Sequence, residues 1–389
     1  MEVYILDSLL RRSALVDRYQ SLIWTERFSA YGDFELVLQS TKQNRGLFKT
    51  GTRIATNNSH RVMTVETVED GTDSEGRDLL IVKGRSLEQI LEDRVAKDTM
   101  ADLTEDPRWV ITDPPADVAR KIFHDICVLG TLDLDDIIPF VIEGSLLPES
   151  TIAEPLDPIT VELDPKSVYD AIKDICDVWG LGFRMLRNYD TSELYFDVYS
   201  GSDRTTGQTE LDPVVFAPGL DNLQNTKSLT SIADYKNVAY VFSPAGSAIV
   251  FPLDVDPEVE GFERRVLVVN ASDITAENPD VEAALQQRGL EELSKHRTFQ
   301  AFDGEIQQSS QYKYGTHYQL GDLVEMRNSD GATNQMRVTE QIFVSDAEGE
   351  RSYPTLTIAL FINAGSWLSW PYNQVWEDLG ETEYWADQP

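Results

Sequence analysis

Hydrolytic chemistry needs a nucleophile with a base, a metal, or two facing carboxylates, so the residues able to supply these come first. The chain has four histidines, His60, His124, His296 and His317, and no HExxH or other close-spaced metal pair among them. His124 falls on an amphipathic stretch, where a surface or core role is the ordinary one, and His60 and His317 sit near turns. Asp133, Asp135 and Asp136 imitate a carboxylate cluster, but among 67 acidic residues such clusters arise by chance. There is no G-x-S-x-G elbow, no phosphate loop and no dinucleotide-binding glycine motif. The acidic run 70–76 resembles a calcium loop. With Gly76 as its turn glycine, however, Gly71 takes the first ligand position and Val82 stands where the bidentate Glu belongs, so calcium is rejected. Cys127 and Cys176 each lie in an Asp-Ile-Cys step on an expected helix and read as buried, reduced thiols. No catalytic residue, metal or cofactor is expected.

The elements that would position these residues follow from periodicity. Residues 1–85 read as β structure: Val3 and Ile5 alternate with polar neighbours, and 18–38 gives two strands around Ala30-Tyr31-Gly32-Asp33, with Phe34, Leu36 and Leu38 on one face. The run 70–76 is a hairpin loop before Leu79-Leu80-Ile81-Val82. Ser86 is a candidate cap for a short helix over 87–94. Asp113-Pro114-Pro115 precedes a second helix with Val118, Ile122, Phe123 and Ile126 on one face and Gly130 as a stop. Asp164-Pro165 opens a third, with Val168, Ile172, Ile175, Cys176 and Trp179 in register and Gly180 ending it. A hairpin of 183–186 and 194–199 follows, turning around 188–192, and 132–163 reads as loop. Strands return at 214–216 and 238–242. A helix led by Asn278-Pro279 carries Val281, Leu285 and Leu293, and strands resume at 302–308, 323–327, 336–344 and 355–361. Asn328-Ser329-Asp330-Gly331 and Ala347-Glu348-Gly349-Glu350 supply turns.

The 389 residues are enough for two or three cores, and 33 basic against 67 acidic residues give a net charge of −34. Nucleic-acid binding requires the opposite field. The charge serves solubility, or a surface that DNA passes without adhering. The opening MEVYILDSLLRR does not read as a signal peptide, because Glu2 and Asp7 interrupt its apolar segment. No apolar run reaches membrane-spanning length. Four of the seven tryptophans, Trp367, Trp370, Trp376 and Trp385, fall after residue 363 among acids and without Lys or Arg. Such a segment suits docking on a partner, folding back on its own chain, or binding a sugar.

The segment 18–38, with Leu22, Trp24, Glu26-Arg27-Phe28 and Tyr31-Gly32-Asp33-Phe34, resembles the N-terminal barrel of phage tail-tip (baseplate) hub proteins. These are often labelled minor tail or prophage-endopeptidase-type tail proteins of long-tailed phages. Further steps resemble the same family in order. They are Gly51 with Ile54, Gly84-Arg85-Ser86-Leu87 with Leu91 and Arg94, then Gly201, Asp203, Arg204 and Thr205, Phe216, Asn222-Leu223, 234–237 and 318–324. The resemblance covers residues 1 to about 361, with 132–163 and the stretch after 363 uncovered. It implies an α+β protein with two β-barrel domains and a helix-containing α+β domain between them. The expected boundaries are 1–85, then 86–208 with 250–298 as a candidate completion, then 209–249 plus 299–362, and a Trp-rich acidic tail at 363–389. The implied role is structural: a homotrimeric ring around the DNA channel at the virion tail tip, made in the host cytoplasm. Its partners would be the distal tail protein, the tape measure protein and receptor-binding or tail fibre proteins. DNA would pass without specific binding, and no membrane insertion is expected in the resting state. A tail-associated peptidoglycan hydrolase and a carbohydrate-binding adhesin are the alternatives.

Overall fold

The computed structural model describes residues 1–72, 74–98, 108–143, 157–220, 222–252, 259–276, 280–296, 299–306, 312–327 and 333–358. Chain contacts divide it into two units, one comprising Met1–Leu229 with Ala301–Ala359, the other built on Thr230–Gln300.

The first unit opens with strands β1 (Val3–Leu6), β2 (Arg12–Val16), β3 (Ser21–Arg27), β4 (Asp33–Gln39), β5 (Arg53–Thr56), β6 (Val62–Thr72) and β7 (Asp78–Ser86). Period-2 alternation does what the sequence suggests: Leu22 and Trp24 on β3, and Phe34, Leu36 and Leu38 on β4, are all buried in one core with Val3, Ile5, Ile54 and Val82. The β3–β4 turn needs Gly32, because a Cβ there would lie 2.2 Å from the Thr25 carbonyl oxygen. The 70–76 region is the end of the β6–β7 hairpin, paired out to Thr72 and Asp78.

The middle of this unit holds the short helix expected there, in 3-10 form over Leu87–Asp93. Ser86 does not cap it: the Ser86 hydroxyl instead accepts a hydrogen bond from the Gly32 N–H at 2.7 Å. Next come β8 (Val95–Ala96), β9 (Trp109–Asp113), α1 (Pro115–Phe123), β10 (Val141–Glu143), β11 (Ile159–Leu163), β12 (Lys166–Ser167), α2 (Val168–Trp179), β13 (Gly182–Arg187) and β14 (Leu194–Tyr199). The apolar face of α1 is buried as its spacing requires, and a π-turn over His124–Val128 carries it to Gly130. Asp164-Pro165 lies just outside α2; Ser167 is the N-cap, accepting from the Asp170 N–H, and Gly180 ends the helix at φ 64°. The stretch 132–163 is not all loop. β10 adds parallel to β14, and β11 pairs antiparallel with β9. These helices and strands share a core with Leu6, Leu10, Ala55 and Val62 from the opening strands, so the β1–β5–β6 region is buried on both faces.

The chain returns through β15 (Val215–Phe216) and β16 (Leu223–Ser231), and later β20 (Phe299–Ile306), β21 (Leu323–Arg327), β22 (Thr333–Asp346) and β23 (Gly349–Ile358). Gly349, at φ 114°, makes the β22–β23 turn. β22 pairs antiparallel with β3, from Glu340 opposite Arg27 to Ser345 opposite Leu22. Among the described residues, thirteen strands therefore join one sheet. Its main path runs β16-β20-β23-β22-β3-β4-β7-β6-β5-β1-β2, with β21 and β15 branching from β22, and the pairing does not close into a ring. The expected α+β mixture is present, with strands dominating.

The second unit contains β17 (Val238–Ser243), flanked by antiparallel β18 (Gly246–Val250) and parallel β19 (Val266–Asn270), and α3 (Val281–Ser294). Leu285 and Leu293 of α3 pack on Ala239, Val241, Val250 and Val269. Gly289 lets the helix approach: a Cβ there would lie 2.5 Å from Val250 Cγ2. Asp280 caps α3 through the Ala283 N–H, and Asn278-Pro279 lies outside the described residues.

Candidate functional site

Several of the residues with catalytic potential are held by the fold. The Asp133 carboxylate caps its own turn through the Asp135 N–H, and Asp136 pairs with Arg94 at 3.4 Å. His60 Nδ1 lies 3.2 Å from the Arg187 carbonyl oxygen, His296 Nδ1 lies 3.1 Å from Asp234, and His317 Nδ1 accepts the Lys313 N–H. Cys127 and Cys176 are free and fully buried, and burial pushes the Cys127 thiol up to about 12 and Cys176 upward as well. Neither is a nucleophile near neutral pH. No group of three or more metal-ligating side chains occurs among the described residues. Trp367, Trp370, Trp376 and Trp385 lie outside the described residues.

What the fold does assemble is a joint. Two sequence steps far apart in the chain, 201–205 and 319–323, lock together. Leu323 N–H donates to the Ser202 carbonyl at 2.9 Å, and Arg204 N–H returns a bond to the Leu323 carbonyl at 2.8 Å. Arg204 Nε donates to Asp322 Oδ2 at 2.9 Å, while Asp322 also accepts the N–H groups of Ser202 and Gln319. Burial raises the Asp322 pKa, and those N–H groups and Arg204 oppose it. Gly201, at φ 74°, is required: a Cβ there would meet the Gly321 carbonyl carbon at 2.2 Å. Phe28 closes the joint. It is buried, lies edge-on to Tyr199 at 5.2 Å, and has the Arg337 guanidinium 5.1 Å from its ring centroid. Any side chain at Gly182 or Gly321 would collide with its ring.

Beside Phe28 runs a buried ionic network. Arg61 and Glu88 pair at 2.7 Å with almost no exposure. Burial works against the Arg61 charge, but Glu88 and Glu26 outweigh it, and its pKa lies above the ordinary arginine value. Glu88 Oε1 also accepts the Met185 N–H at 2.8 Å, and Arg61 donates to the Arg27 carbonyl at 2.6 Å. Glu26 accepts from Trp24 Nε1, the Ser59 hydroxyl and the Tyr314 hydroxyl. On β13 and β14, Arg184 and Asp197 stand directly opposite and pair at 2.9 Å. The network bridges β3, the 3-10 helix, the β13–β14 hairpin and the 312–323 region. A set of buried, paired charges of this kind fixes the geometry of the elements it joins.

The family model described as siphovirus ReqiPepy6 Gp37-like protein matches residues 2–356. The chain belongs to that family. No curated protein matches it. Three solved structures are similar in fold along nearly their whole length. The 43 kDa tail protein of prophage MuSo2 from Shewanella oneidensis is 14% identical, with a TM-score of 0.54 over 92% of this chain and 97% of that one. The tail protein from Neisseria meningitidis MC58 is 13% identical, with a TM-score of 0.56 over 92% and 96%. Prophage tail protein gp18 from Listeria monocytogenes EGD-e is 11% identical, with a TM-score of 0.50 over 95% and 97%. This Gp37-like family member therefore has the fold of phage tail proteins. The family-like steps picked out in its sequence, Glu26-Arg27-Phe28, Gly84 to Ser86, 201–205 and 318–324, are those that build the joint and the Gly32 turn. Sequence reasoning missed Arg61, Glu88, Arg184 and Asp197. Only the Arg184–Asp197 pair left a trace, as opposite charges at matching positions of an expected hairpin.

Proposed function

We infer that the chain is a structural tail-tip hub: a ring-forming subunit around the DNA channel that connects the tail tube to the host-recognition apparatus. The observation that carries this reading is the β22–β3 pairing, which joins the opening strands to the returning strands in one sheet. A subunit that bears load between partners benefits from such continuity, and an enzyme has no need of it. Family membership and the tail-protein fold support the same role. In this reading the two β regions act as two barrel-like ring modules and the subunit is a homotrimer. The distal tail protein and tape measure protein lie on one side, and receptor-binding or fibre proteins on the other. The net charge of −34 keeps DNA moving past without adhesion.

Gold-labelled antibody against the chain, imaged on intact virions, tests the reading. Label at the end of the tail away from the capsid is expected; label on the capsid, or on no part of the particle, overturns it. Release of fragments from purified host cell walls by the protein alone would instead support the hydrolase.

A further inference from the structure

Arg187, at the end of β13, is a buried guanidinium with neutral partners only. It is 2% exposed. Its Nε donates to the Leu10 carbonyl at 2.6 Å, and one terminal nitrogen donates to the Ser192 hydroxyl at 3.2 Å. The other terminal nitrogen is buried without a hydrogen-bond partner. Burial, and after it the charge of Arg12, hold the Arg187 pKa below the ordinary arginine value, with Tyr189 and Asp7 opposing. Buried charges are ordinarily paired, so this one calls for a counter-charge.

Arg12, on β2, is exposed yet held in place by two rings. Its guanidinium carbon lies 4.1 Å from the Tyr4 ring centroid and 5.2 Å from that of Tyr189. Tyr189 is backed in turn by the His60 ring, with centroids 4.2 Å apart, and His60 Nδ1 lies 3.2 Å from the Arg187 carbonyl oxygen. Stacking orients a guanidinium and leaves the N–H groups along its edge able to bind. No side-chain hydrogen bond or ion pair of the described residues uses the Arg12 donors. The acids that act on this cluster are engaged elsewhere. Glu2 accepts the Tyr4 hydroxyl, Asp7 Oδ1 accepts the N–H groups of Leu9 and Arg11 at 2.9 and 2.8 Å, and Glu26 accepts from Trp24, Ser59 and Tyr314.

We propose that Arg12 and Arg187 form a site for one oxyanion, a carboxylate or phosphate group, seated against the Arg12 edge beside Tyr189. A guanidinium edge takes either group through two parallel N–H···O bonds. Water can satisfy the idle donors of Arg12, but only an anion also offsets two neighbouring positive charges of which one is buried. Acidic residues outnumber basic ones 67 to 33, so the field of the whole chain repels anions. A paired local charge with its donors unspent is what holds one against that field.

The test is a titration of the full-length protein with inorganic phosphate at constant ionic strength, read from the arginine Nε–Hε resonances. Arg12 and Arg187 are expected to shift along one saturating curve, while exposed Arg18 barely moves. Arg12→Gln should weaken binding by about tenfold or more, with the amide spectrum outside the site unchanged to show that the fold is intact. Arg12→Lys, which keeps the charge and loses the planar fork, should recover only part of it. A parallel titration with acetate separates the sources: tighter binding of acetate assigns a carboxylate, and tighter binding of phosphate assigns a phosphate group. Shifts that never saturate and are equal at Arg12 and Arg18, or equal binding by the native chain and Arg12→Gln, would overturn the proposal. None of these results bears on the tail-tip reading.

Discussion

Replacing Glu88 by Ala is the sharpest probe of the joint. The carboxylate is fully buried and holds Arg61 at 2.7 Å and the Met185 N–H at 2.8 Å. Its removal leaves a buried guanidinium with its carbonyl contact to Arg27 but without the facing charge, and a buried N–H without a partner. An orphaned buried donor costs about 1–3 kcal/mol. Breaking a buried ion pair from one side costs about 3–5 kcal/mol in total, which includes such orphaning. Glu88→Ala should therefore lose about 3–5 kcal/mol in urea unfolding followed by Trp24 burial, with the Thr230–Gln300 unit monitored separately because two units need not unfold together. Arg61→Met should lose a similar amount. The double variant should lose much less than the sum, giving a coupling of about 2 kcal/mol or more. A loss below about 1 kcal/mol for Glu88→Ala, or a strictly additive double variant, would refute the claim that the pair locks the joint.

Phe28→Ala should cost about 3–5 kcal/mol by cavity formation, measured as a lower urea midpoint, because glycines line the ring and cannot fill the space. Gly84→Ala should destabilise the opening strands by more than a typical overpacking change of about 1–3 kcal/mol, since its Cβ would lie 1.8 Å from the Thr64 carbonyl oxygen; calorimetry reads this directly. Gly289→Ala should lower the melting of the second unit, and Val250→Ala should partly rescue it. Maleimide should label neither Cys127 nor Cys176 in the native protein at pH 8 and both after denaturation, because burial raises both thiol pKa values.

Local order was legible wherever one face is buried. Phe34, Leu36 and Leu38, the apolar face of α1, the Gly180 stop and the Gly349 turn all follow from residue type and period. Partner choice was not. Nothing in the alternation of β22 names β3, because a half-buried strand displays the same pattern whichever neighbour it bonds. Ser86 shows a related gap: a serine before a helical run reads as a cap, but a tertiary N–H, that of Gly32, competed for its hydroxyl and won. The ionic joint was hidden because its members are scattered and individually ordinary.

The β22–β3 pairing also governs when the protein can fold. Arg27 bonds Glu340 across 313 residues of chain, and β3 has β4 alone as a neighbour until β22 is made. During synthesis the opening strands must therefore wait, with one edge unsatisfied, for most of the polypeptide to emerge. Closing so long a loop is slow, and the waiting edge invites wrong pairing. Completion of the sheet thus depends on synthesis through β22: a chain that stops short of it leaves the outer edge of β3 unpaired.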